Sequence, residues 1–356
     1  MTKSFLEGLL RIYTIPMLLV LLALITLALV YYRLRYVYIS RKKQIFLPEI
    51  SDFLTEVTFM GYQGAELDKE VLKFKAKFPY HKKWFRKIVL SSIINLSQNL
   101  KGDLVHQVTD IYVAFDLHLY SLKLIKSWFW RTKCTGIYHF QMLNYQDGQK
   151  YIEPYVHSKQ PILRSNAFIA NLYLTKESFD FLLSYPYPIS NVNEYKVIDV
   201  FFMKKEPLPG NIDLWLDAKN ESIVMLGLKV MMFHNYTGAQ DKILSLIDHP
   251  NPRIREDVVL AVKELFLIES EQILHGQFHK EDKELKIRIL QSLAVIGSES
   301  TVLFVKSCLL MKAIDKDIKM ELLKCLKSVD QSSYEQSFKS DLEIDKMKLH
   351  LNSAII

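Results

Sequence analysis

Between residues 248 and 255 the chain reads DHPNPRIR, which sets Asp248, His249, Asn251, Arg253 and Arg255 around Pro250 and Pro252. A carboxylate, an imidazole and two guanidinium groups so close together are the side chains of acid–base and anion chemistry. Two other places carry comparable groups. His275 and His279 stand four residues apart in HGQFHKED, a spacing that presents two imidazoles on one helix face. Gly276 weakens a helix there, and no third ligand accompanies the pair. Asp315 and Asp317, in AIDKDIK, lie where an acidic residue caps a helix. The phosphate-cradling patterns G-x-G-x-x-G and G-x-x-x-x-G-K-S/T do not occur, nor do H-E-x-x-H, G-x-S-x-G or an EF-hand loop. The residues therefore argue for no catalytic group, no cofactor and no metal, and DHPNPRIR reads as a corner between two helices.

Basic and aromatic residues interleave in two segments. KFKAKFPYHKKWFRK, residues 73–87, contains Lys73, Lys75, Lys77, Lys82, Lys83, Arg86 and Lys87 with no acidic residue, alongside Phe74, Phe78, Tyr80, Trp84 and Phe85. Such a composition suits an anionic membrane surface, a partner, or stacking on nucleic acid, and equally a helix with aromatics in the core and a solvated basic face. The second segment, KLIKSWFWRTK at 123–133, sets Trp128, Phe129 and Trp130 beside Arg131. Three adjacent aromatics cannot all face one side of a helix, so at least one is expected near the surface or in a turn, where Trp beside Arg suits an interface anchor, although packing in the core is the preferred reading of the cluster.

The elements that must position these residues begin with a membrane segment. No charged residue occurs between Arg11 and Arg33, and Ile12 to Tyr32 is almost wholly apolar. As a helix it spans about 31 Å, matching a hydrocarbon core of about 30 Å. Tyr31, Tyr32, Tyr36 and Tyr38 follow as an aromatic belt, with Arg33, Arg35, Arg41, Lys42 and Lys43 among and after them. A cleaved signal peptide would have a shorter apolar run ending in small residues, so an uncleaved single-pass anchor is expected. The heavier basic flank after the segment, against Lys3 and Arg11 before it, predicts a cytoplasmic C-terminal bulk. The net charge of +7 belongs largely to this region. Residues 1–43 hold seven Lys/Arg and one Glu, whereas the remaining 313 residues hold 39 Lys/Arg and 38 Asp/Glu. A nucleic-acid-binding domain would carry its own basic face. The three cysteines, Cys134, Cys308 and Cys325, form neither a disulfide framework nor a zinc motif.

Beyond about residue 48 the periodicity is helical, and the nearest approach to strict alternation, KMKLHLN at 346–352, is too short and terminal to found a sheet. Helices headed by an apolar–basic pair begin near Ile254-Arg255, Leu285-Lys286 and Ile318-Lys319. Stepping back by the same interval reaches Ile223, Val192, Leu163-Arg164 and Thr132-Lys133. Shorter apolar stretches precede them: YIEPYV, SFDFLL, IDLWL, KILSLI, QILHGQF and TVLFVKSCL. A near-constant interval of 31 residues marks a repeat array. Within the corner, Pro250 helps stop one helix, Asn251 is placed to cap the next and Pro252 takes its first position. His249 is left without a duty and is expected to face solvent.

The order of helix, Asp/Asn/Pro turn and hydrophobic-plus-basic helix resembles the HEAT-repeat family of armadillo-like α-solenoids, best in ILSLIDHPNPRIREDVVLAVKEL. The resemblance implies an all-α chain: an N-terminal transmembrane helix followed by an α-α superhelix of about seven helical pairs. Residues 1–43 are then the anchor, 44–131 divergent or capping helices, 132–330 the repeats and 331–356 a polar cap. It also implies that Arg255 contacts the neighbouring repeat, with Asp248 as an acceptor, and that Arg164 heads an equivalent helix. Proteins of this kind are mostly scaffolds, so the expected task is non-enzymatic: holding a protein partner at the cytoplasmic face of a bacterial inner membrane. The resemblance further suggests an accessory of envelope or polysaccharide assembly, with a membrane glycosyltransferase as partner. The alternative is a HEAT-like enzyme similar to DNA glycosylases or bilin lyases, or a nucleic-acid-binding solenoid. That would require a basic groove with an Asp and aromatics converging inside it.

Overall fold

Apolar residues recurring at three and four positions, with few Gly and Pro, produce a chain whose described residues contain helices and turns but no strand. A computed structural model describes residues 13–100, 104–176, 179–205, 207–311, 314–336 and 342–353. The fold divides into two compact units, Met1–Thr175 and Lys176–Ile356.

The first unit opens with α1, Ile15–Met60, a single helix of 46 residues that ends on Gly61 in the left-handed region. Its N-terminal part is wholly exposed and is long and apolar enough to cross a membrane. The helix passes residues 43 and 44 without a break, so the apolar segment and part of the unit's core share one element. Ile50, Leu54 and Val57 on its C-terminal half are buried against α3 (Lys83–Asn99) and α4 (Leu104–Ala114). The remaining helices are α2 (Gly64–Lys77), α5 (Leu117–Ile125), α6 (Trp130–Met142), α7 (Gln149–Ile152) and α8 (Pro161–Leu174). Gly136 is what lets α5 and α6 meet. A Cβ there would come within 2.6 Å of the Ser121 carbonyl oxygen and 2.7 Å of Ile125 Cγ1.

The second unit contains α9 (Asn191–Lys204), α10 (Ile212–Trp215), α11 (Glu221–Phe233), α12 (Gln240–Ser245), α13 (Pro252–Glu264), α14 (Glu271–Lys280), α15 (Lys283–Ile296), α16 (Glu299–Leu309), α17 (Lys316–Val329), α18 (Gln331–Gln336) and α19 (Leu342–Ser353). Within it α9, α11, α13, α15 and α17 pack in succession, each of the last four preceded by a shorter helix laid against it. Together with α6 and α8, these helices start one or two residues ahead of each position expected from the 31-residue interval. The stretches before them are uneven: α14 and α16 are full helices, α10 is a single turn, and residues 179–184 form a 3-10 helix. Ser178 of SFDFLL lies outside the described residues.

At the corner, Asn251 Oδ1 accepts from the Arg253 amide at 3.0 Å and Pro252 is the first residue of α13. Arg255 does bridge to the next helix, but its acceptor is Glu281, through Nε and Nη2 at 2.8 Å each. Asp248 instead takes Lys280 at 3.1 Å, because the Arg255 guanidinium also donates back to the His249 and Pro250 carbonyls. Arg164 donates to the Ser158 carbonyl at 3.0 Å, six residues back, as Arg255 does to His249. His249 differs from expectation. It is half-buried, and its Nδ1 accepts from the Asn251 amide at 3.0 Å, which holds the capping residue in place. Pro250 is exposed between them.

The C-terminal ends of three helices share a closing turn. Asn144 after α6, Asn235 after α11 and Phe266 after α13 all have φ between 46° and 53°. The amides of Tyr145, Tyr236 and Leu267 then bond back five residues, to Phe140, Met231 and Val262. Asn tolerates this left-handed geometry, whereas a bulky aromatic is strained in it.

The tail is more structured than its polar composition suggests. Tyr334 on α18 is buried, with Lys327 and Lys348 over its ring at 5.6 and 5.2 Å, and KMKLHLN is helical within α19. Residues 337–340, in the polar stretch, lie outside the described residues.

Candidate functional site and interaction surfaces

Aromatic residues of the 73–87 segment go inward. Phe46 of α1 packs on Phe78, Trp84 and Phe85, with centroids 5.5–6.2 Å apart, and Phe53 packs on Phe74 at 4.4 Å. The basic residues divide. Lys73 pairs with Glu70 at 2.6 Å and Lys77 with Glu49 at 3.7 Å, while half-buried Lys75 reaches Asp116 and the Ala114 carbonyl. Lys82, Lys83, Arg86 and Lys87 have no ion pair among the described residues. All but Arg86 are exposed, and no acidic residue occurs between Glu70 and Asp103. The Arg86 Nε is buried without an acceptor among the described residues.

The order of contacts along α1 locates this basic corner. Proceeding toward its C-terminus, Phe46 meets the 78–85 turn, Glu49 meets Lys77, Phe53 meets Phe74 and Phe115, and the Val57 carbonyl accepts from Gln107. The corner therefore lies against the stretch of the helix nearest the apolar segment. Phe46 is 14 residues beyond Tyr32, about 21 Å along a helix. Arg41 and Lys43 on the intervening helix are exposed, which extends the basic surface toward the apolar end.

In the second segment, Trp128 is 93% and Phe129 71% exposed at the turn between α5 and α6. Trp130 is half-buried beneath the Arg131 guanidinium, 5.1 Å from its ring. Lys133, by contrast, is structural, donating to the Ile125 carbonyl and the Tyr155 hydroxyl. The fold also brings the two segments together: Lys87 and Arg131 line one groove of about 590 Å³ between α3, α5 and α6. His139 forms part of that groove with its Nδ1 3.0 Å from Ser121 Oγ. Burial, and then the charge on Lys87, hold its pKa down to about 4. A cavity of about 690 Å³ lies elsewhere in this unit and is acidic, with Asp68, Asp110, Asp116 and Asp147 on its wall. Among the described residues no three His, Cys, Asp or Glu side chains are grouped to hold a metal ion. His275 bonds Thr301 at 3.0 Å and stacks on Phe304, while His279 meets the edge of the same ring. Asp315 caps α17 through the Asp317 amide and binds Lys283, whose hydrogen bond lowers its pKa.

In the second unit an aromatic edge appears that no charge or motif pattern singled out. Phe202, Phe233 and Phe266 stand at the C-terminal ends of α9, α11 and α13, which pack in sequence, and they are 64%, 39% and 65% exposed. Phe202 and Phe233 touch edge to face at 6.5 Å. Val192, Tyr195 and Met203 on α9 and Ile268 beside Phe266 are exposed too. The available signal was their recurrence at about the repeat interval, outside each helix's buried stripe.

No protein-family model matches the chain, and no curated relative matches it. Among solved structures, one match is the crystal structure of an engineered protein, at 12% identity. It covers 61% of this chain and 97% of that one, with a TM-score of 0.32.

Proposed function

We propose that this chain is a single-pass membrane protein whose HEAT-like helix pairs hold a protein partner at the cytoplasmic face, without catalysis. The observation that carries the reading is Phe266. Among the described residues its counterparts with the same five-residue closing bond are Asn144 and Asn235, and the left-handed residue that closes α9 is Lys205. All are polar, yet here a bulky aromatic occupies the turn and projects into solvent. Strain kept at an exposed position, where a polar residue would be cheaper, argues for a contact made outside the chain. Phe202 and Phe233 extend the exposed apolar surface over neighbouring helix ends, as docking sites for proteins do.

Support for the HEAT-like reading comes from the near-constant interval of the helix starts and from the recurring caps at Asn220, Asn251, Asp282 and Asp315. Support for the anchor comes from the exposed apolar stretch of α1 and from Lys82, Lys83 and Lys87 of the adjoining corner, which have no ion pair among the described residues and, with Trp84, suit an anionic cytoplasmic leaflet. A membrane-bound partner, such as a glycosyltransferase of an envelope-assembly system, fits a domain tethered this way.

Photo-crosslinkers placed at 202, 233 and 266 in native membranes test the partner surface, with 280 and 249 as controls. A discrete crosslinked product at the aromatic positions only is expected. Equal labelling at all five positions, or at none, contradicts the reading. Fluorescent and alkaline-phosphatase fusions at the C-terminus test orientation: fluorescence without phosphatase activity is expected.

A further inference from the structure

The groove between α3, α5 and α6 answers to one kind of ligand. At its edge stand Lys87 and Arg131, both exposed and without an ion pair among the described residues, and no acidic side chain lines it. Its floor is apolar, from Leu90, Ile94 and Leu124. Tyr120 and His139, stacked with centroids 6.5 Å apart, wall it together with Tyr138. A neutral imidazole adds hydrogen bonding without adding charge, so the positive character belongs to Lys87 and Arg131. Two cations over an apolar floor match an anionic group joined to a hydrophobic body. The groove also has a source of such molecules nearby. Lys87 is one turn beyond Trp84, which packs on Phe46 in the part of α1 nearest the apolar segment.

We infer that this groove binds the phosphate of an anionic phospholipid, with Lys87 and Arg131 on the phosphate and the start of the lipid's apolar part against Leu90, Ile94 and Leu124. The lipid source rests on the membrane reading above, but the chemistry of the site is tested apart from it. The unit would then be held against the bilayer by a bound lipid as well as by its helix, which fixes how it faces the membrane.

The test uses the full chain in a neutral detergent and reads the rise in melting temperature as ligand is added. Dihexanoyl phosphatidylglycerol, dihexanoyl phosphatidylcholine and inorganic phosphate are the three probes. Phosphatidylglycerol should stabilise the wild type saturably, with inorganic phosphate weaker by about tenfold or more because it lacks the apolar part. Phosphatidylcholine should be weaker by a similar factor because its choline cation offsets the phosphate charge and opposes Lys87 and Arg131. Lys87→Gln with Arg131→Gln should weaken phosphatidylglycerol binding by at least about tenfold. Lys123→Gln with Lys126→Gln, an equal change of charge on residues outside the groove lining, should not. Undiminished binding by the Lys87/Arg131 variant overturns the site, and equal binding by phosphatidylcholine overturns its assignment to an anionic lipid. Inorganic phosphate binding as tightly as the lipid overturns the lipid assignment in favour of a soluble anion. Because detergent replaces the bilayer, these outcomes are independent of the topology and crosslinking results that decide the membrane and partner readings.

Discussion

The two units treat polar residues in opposite ways. In Lys176–Ile356 the groups that resemble catalytic chemistry are absorbed by the architecture: Asn251 caps, Arg255 bridges to Glu281, His275 packs on Phe304, and Asp315 caps and pairs with Lys283. In Met1–Thr175 the aromatics of the 73–87 segment are absorbed, but Trp128 and Phe129 stay exposed, and several cations, Lys82, Lys83 and Lys87 among them, have no ion pair among the described residues. The helix starts explain part of the difference. A cap such as Asn220, Asn251, Asp282 or Asp315 is needed where each of these helices begins, so its chemistry is spent inside the fold. Lys82, Lys83 and Lys87 carry no such obligation, and they are exposed.

The comparison breaks most readily at the core of the second unit. Val258 is fully buried on α13, and Val258→Asp leaves an unpaired carboxylate costing several kcal/mol. Hydrogen exchange should show protection lost across α12 to α15 and retained in α2 to α6. Equal loss in both units would contradict their separate cores.

The first unit has its own weakness, in acid. The pKa of buried His139 is held down to about 4, below the 6.5 of an unfolded chain, so the unfolded state takes up the proton first. Its contribution is fully present above about pH 6.5 and is lost as pH falls toward 4, on the order of 3 kcal/mol in all. Urea midpoints at pH 7 and pH 5 should therefore differ more for the wild type than for His139→Asn.

Smaller effects sharpen the reading of the corner. Arg255→Met removes the cation from Glu281, whose side chain is 4% exposed and keeps only the Gln277 amide as donor among the described residues, and should cost about 2 kcal/mol of the second unit's stability in urea. Asn251→Ala should cost about 1 kcal/mol through loss of the cap, and His249→Ala about 0.5 kcal/mol through one hydrogen bond to that cap. A His249 effect larger than that of Asn251 would return the turn to the list of reaction centres.

Much of this was legible in the residues. The apolar run before Arg33, the helix interval and the Asn251–Pro252 start follow from local rules of length, period and capping, and the helices fall where those rules put them. The partners of Arg255 and Asp248 were not legible, because Glu281 and Lys280 are brought close only by packing of the next helix pair. Nor was the groove, since Lys87 and Arg131 are more than forty residues apart in sequence and meet only through α3, α5 and α6. Phe266 was hidden for another reason: an apolar residue after an apolar helix reads as core, and only its left-handed backbone and exposure set it apart.

Phe266→Asn tests the central claim most directly, because fold and function should move in opposite directions. Asn fits the left-handed turn, as it does at 144 and 235, so the melting temperature should hold or rise, by relief of about 1 kcal/mol of strain. The partner crosslink from position 233 in native membranes should fall sharply in the same variant. A destabilised protein that keeps its crosslink would mean that Phe266 serves the fold, and the partner surface would have to be sought elsewhere.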